Sequence, residues 1–585
     1  MTTSRLRKIV LIYPLLLILC GVGYAKYDSY KLDGDAVAFM DIADAIHAHD
    51  FAMAVNGYWN PAYAAALAIG EAIERPSRWN ELQTFYWVNF WIFVGCILAC
   101  IYFVRSLLLV RERCTPDSPM PPALSPPALL LISLALLFYS FQRELSIGAV
   151  RSDSLLLFFF LFAAGFLLRL QSGGRFVYYP LLGLALGLAY LTKSFAFLPS
   201  GILLGSIFIF GLTRKSGLRG RILAGALVAG FVFAAVAGPY IFAISKQRGR
   251  PTTGESARLN YCFFVDQTGR WHEWHSGDLG HATANFKHHE ELLLDSPPVY
   301  SYSQHAIGTY PLWFDPAYWT DTLQPKFYLK GHLLRLARCS ALLVRFLVGH
   351  LEAFVVLAVL LLAGCFFGRS RTSWLPLLPV AVWGLLMLGI YFPVDLQDRY
   401  LTPFLLLVAI SMLAMLRRPA SGHAGAIATV LAVLLAGLTL ADAASDLGQR
   451  RRILSVTSHP RGAYSTEIYP AAKGLTDLGI APGETVACFG EMACYVDIYW
   501  ARLAGTPIRA EIQTPDGQDA GAFWNSIPNK SAVFDALRAK QIAAVVAVFA
   551  PSAHIPVGWQ QLGNSDFYAY PLTRSMQQET LNSAP

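Results

Sequence analysis

Charged residues are scarce in this sequence. Only 14% of its 585 residues are Asp, Glu, Lys or Arg, and 55% are hydrophobic, whereas soluble domains carry about 25% charged residues. This deficit excludes an ordinary soluble enzyme, and the apolar content excludes a disordered chain. The formal charge of +8 would suggest nucleic-acid binding in a soluble protein. Here the long apolar runs instead predict a membrane protein with lipids, and no nucleic acid, as partners.

Motifs for soluble cofactor chemistry are also missing. The sequence has no nucleotide-binding glycine motif, and its 9 cysteines show no metal-ligand spacing. Cys488 and Cys494 lie six residues apart in what would be an oxidising compartment, so they form either a disulfide or two free thiols. The centres of the apolar runs contain almost no charge. Because a proton-coupled transporter usually needs carboxylates there, this scarcity disfavours such a transporter. This favours a site at the membrane surface.

The apolar residues are grouped into runs long enough to cross a membrane. A membrane-spanning helix needs about 20 mostly apolar residues, because its backbone groups must be satisfied within the segment. The sequence has about eleven such runs, which predicts a multi-span α-helical membrane protein. They are residues 8–25, 84–104, 128–142, 153–169, 178–193, 195–212, 222–244, 343–367, 374–392, 400–416 and 424–441.

Lys and Arg are unevenly distributed between the loops. Residues 5–8, 111–113 and 214–221 are rich in cations, whereas the loops on the other side contain few. Because cytoplasmic loops are enriched in Lys and Arg, we expect a cytoplasmic N-terminus. The first apolar run is either the first span or a cleaved signal peptide.

Three polar regions are expected on the extracytoplasmic side. We assign a first polar region (residues 26–83) and a middle polar region (residues 245–342) to a transmembrane domain of residues 1–441. The remaining residues, 442–585, alternate short β-branched runs with helical patterns. Such alternation predicts a small extracytoplasmic α/β domain.

Acidic residues are concentrated directly after the first apolar run. Asp33 and Asp35 adjoin its end, and because two carboxylates are costly to place next to a transmembrane helix, we interpret them as functional. Asp41, Asp44 and Asp50 follow. For these three, helix capping and a solvated helix face are the simpler explanation.

A second group of charges lies at the same expected membrane face. Asp153 opens the fourth apolar run, with Arg151 and Glu144 before it. A structural ion pair is one explanation for these residues, and a cation or phosphate subsite is the other. Lys193 and Arg399 lie at the ends of two further runs. Snorkelling explains either cation alone, but together with Arg151 they could surround an anionic headgroup.

The order of these motifs is that of a known family. It begins with Asp33-Gly34-Asp35 and Phe39-Met40-Asp41-Ile42-Ala43 and continues with residues 56–63, Asp153, residues 183–193 and Asp398-Arg399-Tyr400-Leu401-Thr402-Pro403. Over roughly residues 8–440, the chain resembles the polytopic glycosyltransferases of the GT-C superfamily. This group contains protein O-mannosyltransferases and the lipid A aminoarabinose transferase, and the chain most resembles its bacterial RgtA/B/C/D-like branch.

The resemblance implies a glycosyltransferase of the bacterial inner membrane. Family members transfer a sugar from a polyprenyl-phosphate donor at the extracytoplasmic face, and an acid of the first loop is the general base. Aligning residues 39–43 assigns that role to Asp35. Asp33 is the runner-up, since this chain has Asp-Gly-Asp where the family often has Asp-Glu.

The resemblance also implies roles for the second group of charges. Lys193 and Arg399 would approach the donor phosphate together with Arg151, and Asp153, with Glu144 nearby, would be the second acidic position. The acceptor would be a hydroxyl or amine of a lipid, glycan or protein. Family members differ in whether a divalent metal ion takes part, so that question stays open.

Two other function classes are compatible with the composition. One is a transporter or flippase for a lipid-linked or small polar substrate. The other is a membrane scaffold or sensor with a ligand-binding C-terminal domain, which leaves the clustered charges unexplained.

Overall fold

The structure is a computed structural model of the whole chain, and two compact units emerge from its internal packing. Unit 1 comprises residues 1–28, 86–265 and 327–456, and unit 2 comprises residues 29–85, 266–326 and 457–585. The structure describes residues 3–28, 32–114, 120–268, 280–283, 288, 290–367, 377–419, 423–456, 467–496, 498–515, 517–549 and 555–572.

Unit 1 is a helical bundle. Its apolar runs form helices because an uninterrupted apolar segment satisfies its backbone groups internally. The α-helices are Thr3–Tyr27, Glu81–Cys114 from residue 86 onwards, Pro126–Ser140, Asp153–Gln171, Tyr178–Thr192, Phe197–Leu212, Ser216–Arg248, Ser256–Phe264, Leu329–Gly349, Leu351–Leu362, Leu378–Tyr391, Asp398–Met415 and Ala424–Val456. Two short strands, Phe366–Phe367 and Leu416–Arg417, pair antiparallel.

The predicted spans coincide with helices of this bundle. Among the described residues, eight helices are long and apolar enough to cross a membrane, and a pair bent by 71° near His350 makes a ninth. Two shorter apolar helices, Tyr178–Thr192 and Leu378–Tyr391, account for the other two predicted runs. The start of the run at 374–392 lies outside the described residues. The chain is therefore a multi-pass membrane protein.

Unit 2 has a mixed β-sheet flanked by short helices. Its α-helices are Gly34–His47, Phe51–Ala54, Pro61–Glu74, Pro311–Phe314, Pro316–Trp319, Ile468–Asp477, Tyr499–Ala504, Ala520–Ser526 and Lys530–Ala539. Within the described residues the sheet has seven strands, in the order Glu291–Leu294, Val299–Ser301, Ile508–Ile512, Val486–Phe489, Ala544–Val548, Phe567–Pro571 and Gln560–Gln561. The Val486–Phe489 strand pairs in parallel with both of its neighbours, and the other described pairs of this sheet are antiparallel. Apolar side chains such as Phe489, Trp524 and Trp559 form its core.

The domain division differs from the one expected from sequence. Residues 29–85 and 266–326 pack with residues 457–585 in unit 2, although we expected both segments within a domain of residues 1–441. The reason is long-range pairing, because strand Val299–Ser301 of the middle polar region extends the C-terminal sheet through Ile508–Ile512. The helix Ala424–Val456 also crosses the expected boundary without a break.

The C-terminal α/β prediction is confirmed in its elements. The β-branched runs form strands Val486–Phe489 and Ala544–Val548, and helices Ile468–Asp477 and Lys530–Ala539 lie where helical patterns were seen. Of the two alternatives left open for Cys488 and Cys494, the structure has the disulfide.

Candidate functional site

The two acids of the Asp-Gly-Asp motif begin a helix of unit 2. Asp33 is the N-cap of helix Gly34–His47, and its Oδ1 accepts a hydrogen bond of 3.1 Å from the Ala36 N–H. Asp35 lies half-buried in the first turn, where the helix dipole stabilises a carboxylate. Gly34 is buried against Trp313, and a Cβ added there would lie 2.4 Å from the indole. Only glycine therefore fits between the two acids.

The Asn56-Gly57-Tyr58-Trp59 segment fixes the same region from the other side. The Asn56 side chain accepts from the N–H groups of Tyr58 and Trp59 and donates to the Phe314 carbonyl. The Trp59 indole donates to the Trp313 carbonyl at 2.9 Å and lies against Phe39 with ring centroids 5.4 Å apart. This motif therefore ties helices Gly34–His47 and Pro311–Phe314 together.

A buried arginine holds three acids of unit 2. The Arg502 side chain is 1% exposed. Its Nε and Nη2 donate to Glu81 at 2.9 and 2.8 Å, and Nη1 donates to Asp41 at 2.8 Å. Asp44 accepts from Nη1 at 2.8 Å and from Nη2 at 3.1 Å. We call Arg502, Asp41, Asp44 and Glu81 the Arg502 clamp.

The Arg502 clamp corrects our interpretation of Asp41, and it adds an ion pair to Asp44, whose side chain remains 46% exposed. A solvated helix face was expected, yet Asp41 is 4% exposed and also accepts from the Thr309 N–H and hydroxyl. Although burial lowers the pKa of Arg502, the surrounding carboxylates raise it well above its usual value. Arg502 therefore stays charged. Asp50, in contrast, caps helix Phe51–Ala54 as expected.

Glu71 is a fourth acid beside the clamp. It is 8% exposed, and burial together with the neighbouring Asp44 carboxylate raises its pKa to about 8. Burial is the larger cause because it disfavours the charged carboxylate, and the Asp44 and Glu81 carboxylates add to it against the opposing effect of Arg502. Glu71 is therefore protonated at neutral pH.

Unit 1 brings together the predicted phosphate-binding residues. The Lys193 Nζ lies 2.7 Å from Asp153 Oδ1 and 3.9 Å from the centre of the Tyr400 ring. Arg399 and Arg151 are within electrostatic reach of Asp153. We call Lys193, Arg399, Arg151 and Asp153 the cation cluster.

The elements of the cation cluster place its charges at helix ends. Asp153 opens helix Asp153–Gln171 and Lys193 follows helix Tyr178–Thr192, where both charges suit the helix dipole. Arg399 is the second residue of helix Asp398–Met415, where a cation opposes the dipole. The helix dipole therefore does not explain the position of Arg399. Its Nε donates to Gln397 at 2.8 Å.

Glu144 lies in a different setting from Asp153. Its Oε1 is 3.4 Å from His350 Nε2, and both side chains line a mostly apolar cavity of about 150 Å³. The cavity is otherwise lined by residues such as Leu136, Phe354 and Met412. In the described part of unit 1, the ion-pair partner of Glu144 is thus His350 and not a residue of the cation cluster.

Sequence reasoning missed Arg502, Glu81 and Glu71. Arg502 is surrounded in sequence by the apolar run Tyr499–Ala504, and a charge in an apolar helix of a small domain is the signal that could have identified it. In the described ranges, no group of three or more His, Cys, Asp or Glu side chains is arranged to hold a metal ion.

The bundle and the α/β unit define a class of protein, namely a multi-pass membrane protein with a mixed α/β unit. The apo crystal structure of ArnT from Cupriavidus metallidurans matches 98% of this chain and 99% of its own, with a TM-score of 0.52 and 12% identity. ArnT, the lipid A aminoarabinose transferase, is a GT-C member, so the fold predicted from sequence is confirmed.

Two further solved structures are similar. An oligosaccharyltransferase from Archaeoglobus fulgidus, tethered to an acceptor peptide, has a TM-score of 0.43 and 13% identity over 94% of this chain and 69% of its own. ArnT bound to undecaprenyl phosphate has a TM-score of 0.40 and 13% identity over 97% of this chain and 98% of its own. No protein-family model matches the chain, and no curated protein sequence matches it.

Proposed function

We propose that the protein is a membrane glycosyltransferase that moves a hexosyl or pentosyl group from a polyprenyl-phosphate donor to a hydroxyl or amine. The observation that carries the proposal is the cation cluster, in which three cations from separate parts of unit 1 lie around one carboxylate. Arg and Lys side chains gathered in one place suit the binding of a phosphate group. The GT-C fold, shared with ArnT over nearly the whole chain, supports the same reaction class.

Asp35 is the proposed general base. An acceptor hydroxyl is a weak nucleophile, and a carboxylate that takes its proton in the transition state contributes about 10²–10⁴-fold. The acceptor oxygen attacks the anomeric carbon while its proton passes to Asp35, and the bond from that carbon to the phosphate oxygen breaks. This single displacement inverts the anomeric centre.

Lys193 and Arg399, with Arg151, are the proposed donor-phosphate ligands. The leaving polyprenyl phosphate retains the electron pair of the broken bond and gains negative charge, which preorganised cations stabilise where it develops. Asp153 would keep Lys193 in place through their 2.7 Å contact. Glu144, beside His350, is kept as a weaker candidate for the second acidic position.

The proposed location is the bacterial inner membrane, with the N-terminus in the cytoplasm. The cation-rich loops support this orientation, and the disulfide Cys488–Cys494 supports an extracytoplasmic C-terminal region. The donor, the acceptor and the chemistry would then all be on the extracytoplasmic side.

Mass spectrometry of glycolipids and surface glycans, in cells with and without the protein, tests the function. We expect one glycan or glycolipid to lose a sugar when the protein is absent. Asp35→Asn should abolish this product at unchanged protein abundance in the membrane. Asp33→Asn is the matched control, because Asn is as good an N-cap as Asp, and it should keep most of the activity. If Asp33→Asn instead abolished the product and Asp35→Asn kept most of the activity, Asp33 would be the base. Full activity of both variants would refute a base in this motif.

Transport is the competing hypothesis, and vesicles separate the two. Purified protein reconstituted in vesicles should produce a new glycosidic bond from a lipid-linked sugar and an acceptor. Movement of the lipid-linked sugar across the bilayer without that bond would instead support a flippase.

A further inference from the structure

In the Arg502 clamp, a single guanidinium connects helix Tyr499–Ala504 to helix Gly34–His47. All five N–H groups of its guanidinium are used, since Nε donates once and each terminal nitrogen donates twice. Burying one cation among three carboxylates is a weak source of stability, because desolvation offsets the Coulombic attraction. A planar fork with fixed donor directions is, however, a strong source of geometric precision.

The clamp acts on the helix that carries Asp35. Asp41 and Asp44 are three residues apart on helix Gly34–His47 and so share one face. Because the Arg502 guanidinium binds two positions on one face, it fixes both the rotation of the helix about its axis and its position along that axis. Asp35 lies six residues before Asp41, or about 9 Å along the helix, so a rigid helix transmits the setting of the clamp to Asp35.

The opposite end of this helix is held independently. Gly34, in the first turn, packs directly under the Trp313 ring, whereas the Thr309 N–H and hydroxyl bind Asp41 within the clamp. Both partners belong to the middle polar region. The middle polar region therefore contacts the first turn of the helix, and Arg502 binds the helix farther along, at Asp41 and Asp44.

We propose that Arg502 is a positioning residue for Asp35, and that the C-terminal region thereby contributes to catalysis without touching the substrate. This inference rests on the proposed function, in which Asp35 is the base. Arg502 sets the orientation of helix Gly34–His47 through Asp41 and Asp44, and the clamp anchors that helix to Glu81 of the same unit.

Arg502→Lys tests the inference, because lysine keeps the charge but loses the fork. We expect product formation to fall on the order of 10²-fold, as for other small misplacements of a reacting group, at unchanged protein abundance. Lys540→Gln is the matched control. It removes another 2.7 Å ion pair between the C-terminal and middle polar regions, with Glu291, and should leave activity within about twofold of wild type.

A readout independent of activity comes from thiol labelling. In an Asp35→Cys background, Arg502→Lys should raise the rate of reaction with a membrane-impermeant maleimide severalfold, because the first turn opens more often. A cysteine at the exposed residue Lys473, in the same unit, should react at the same rate with or without Arg502→Lys. If Arg502→Lys does not accumulate in the membrane, Glu81→Gln replaces it, with the same expected results.

The outcomes separate this inference from the function on which it rests. A normal product level in Arg502→Lys overturns the inference, as does unchanged labelling at position 35 or an equal rise at position 473. If Asp35→Asn keeps full activity, the proposed base is wrong, whatever Arg502→Lys does. A loss of product in Asp35→Asn with none in Arg502→Lys overturns the positioning role alone.

Discussion

At the scale of single residues, acids of the same chemistry differ in what surrounds them. Asp33 and Asp50 cap helices, whereas Asp41 and Asp44 bind Arg502. Asp35 lies in a first turn and is half-buried. The family resemblance assigns the base to this position, which makes Asp35 the acid of this group to test.

Variants of the Lys193–Asp153 pair can distinguish a structural role of Lys193 from a role in donor binding. Lys193→Gln leaves Asp153, which is 4% exposed, without its closest cation, and breaking a buried pair costs about 3–5 kcal/mol. The double variant Lys193→Gln, Asp153→Asn removes both charges and should recover the stability. If Lys193 also binds the donor phosphate, the double variant should remain inactive. Thermal unfolding and product formation, measured on the same samples, check this.

Recovery of activity in the double variant would contradict a phosphate contact by Lys193. Arg399→Ala gives a parallel check, because it should weaken the use of donor more than the use of acceptor. Equal losses for both substrates would argue that Arg399 only supports the fold.

Glu71 predicts a pH dependence of stability. Its pKa is raised to about 8 in the folded protein, from an ordinary value of 4.5. Between these two pH values the Glu71 carboxyl is ionised in the unfolded chain but still protonated in the folded protein. The contribution of Glu71 to stability is therefore lost as pH rises from about 4.5 to about 8, and it does not change further above that. Glu71→Gln mimics the protonated acid. Its advantage in thermal unfolding temperature over wild type should therefore widen with pH across this window and then level off. A pH-independent difference would contradict a raised pKa.

At the scale of elements, the local sequence was sufficient to predict where helices form, but it was insufficient to predict which segments pack against one another. An apolar run such as 153–169 predicts its own helix, because the backbone must be satisfied within the segment. Arg502 and Asp41 are 461 residues apart, and no local pattern connects them. The same applies to strand Val299–Ser301, whose partner Ile508–Ile512 lies in a segment we had assigned to another domain.

The packing of helix Gly34–His47 gives a prediction at this scale. Gly34→Ala places a methyl group 2.4 Å from the Trp313 ring, so either the helix or the indole must move. We expect a loss of activity, since the shift is adjacent to Asp35, with overpacking costing about 1–3 kcal/mol of stability. Gly34→Ala with Trp313→Leu frees the space and should recover part of both. Gly217→Ala is the control, because no atom lies within 4 Å of a Cβ there.

At the scale of the whole molecule, unit 2 is assembled from three separate stretches of chain. Residues 29–85, 266–326 and 457–585 form it together, and the sheet contains strands from the second and third. The C-terminal region is therefore a structural partner of the two polar regions. Sequence reasoning could describe its α/β elements because they are local, but it could not show which other segments complete their sheet.

Removing the C-terminal region tests this organisation. Because helix Ala424–Val456 is continuous, the truncation belongs after Val456 and not near residue 441. A chain ending at Val456 lacks Arg502 and the strand Ile508–Ile512, which pairs with Val299–Ser301, so we expect it to insert into the membrane and to form no product. A chain ending at Leu572 keeps every described strand and should remain active. Full activity of the shorter chain, measured by the same glycan mass spectrometry, would show that unit 2 is accessory. Loss of activity that returns when residues 457–585 are supplied as a separate chain would show that the region acts by completing unit 2.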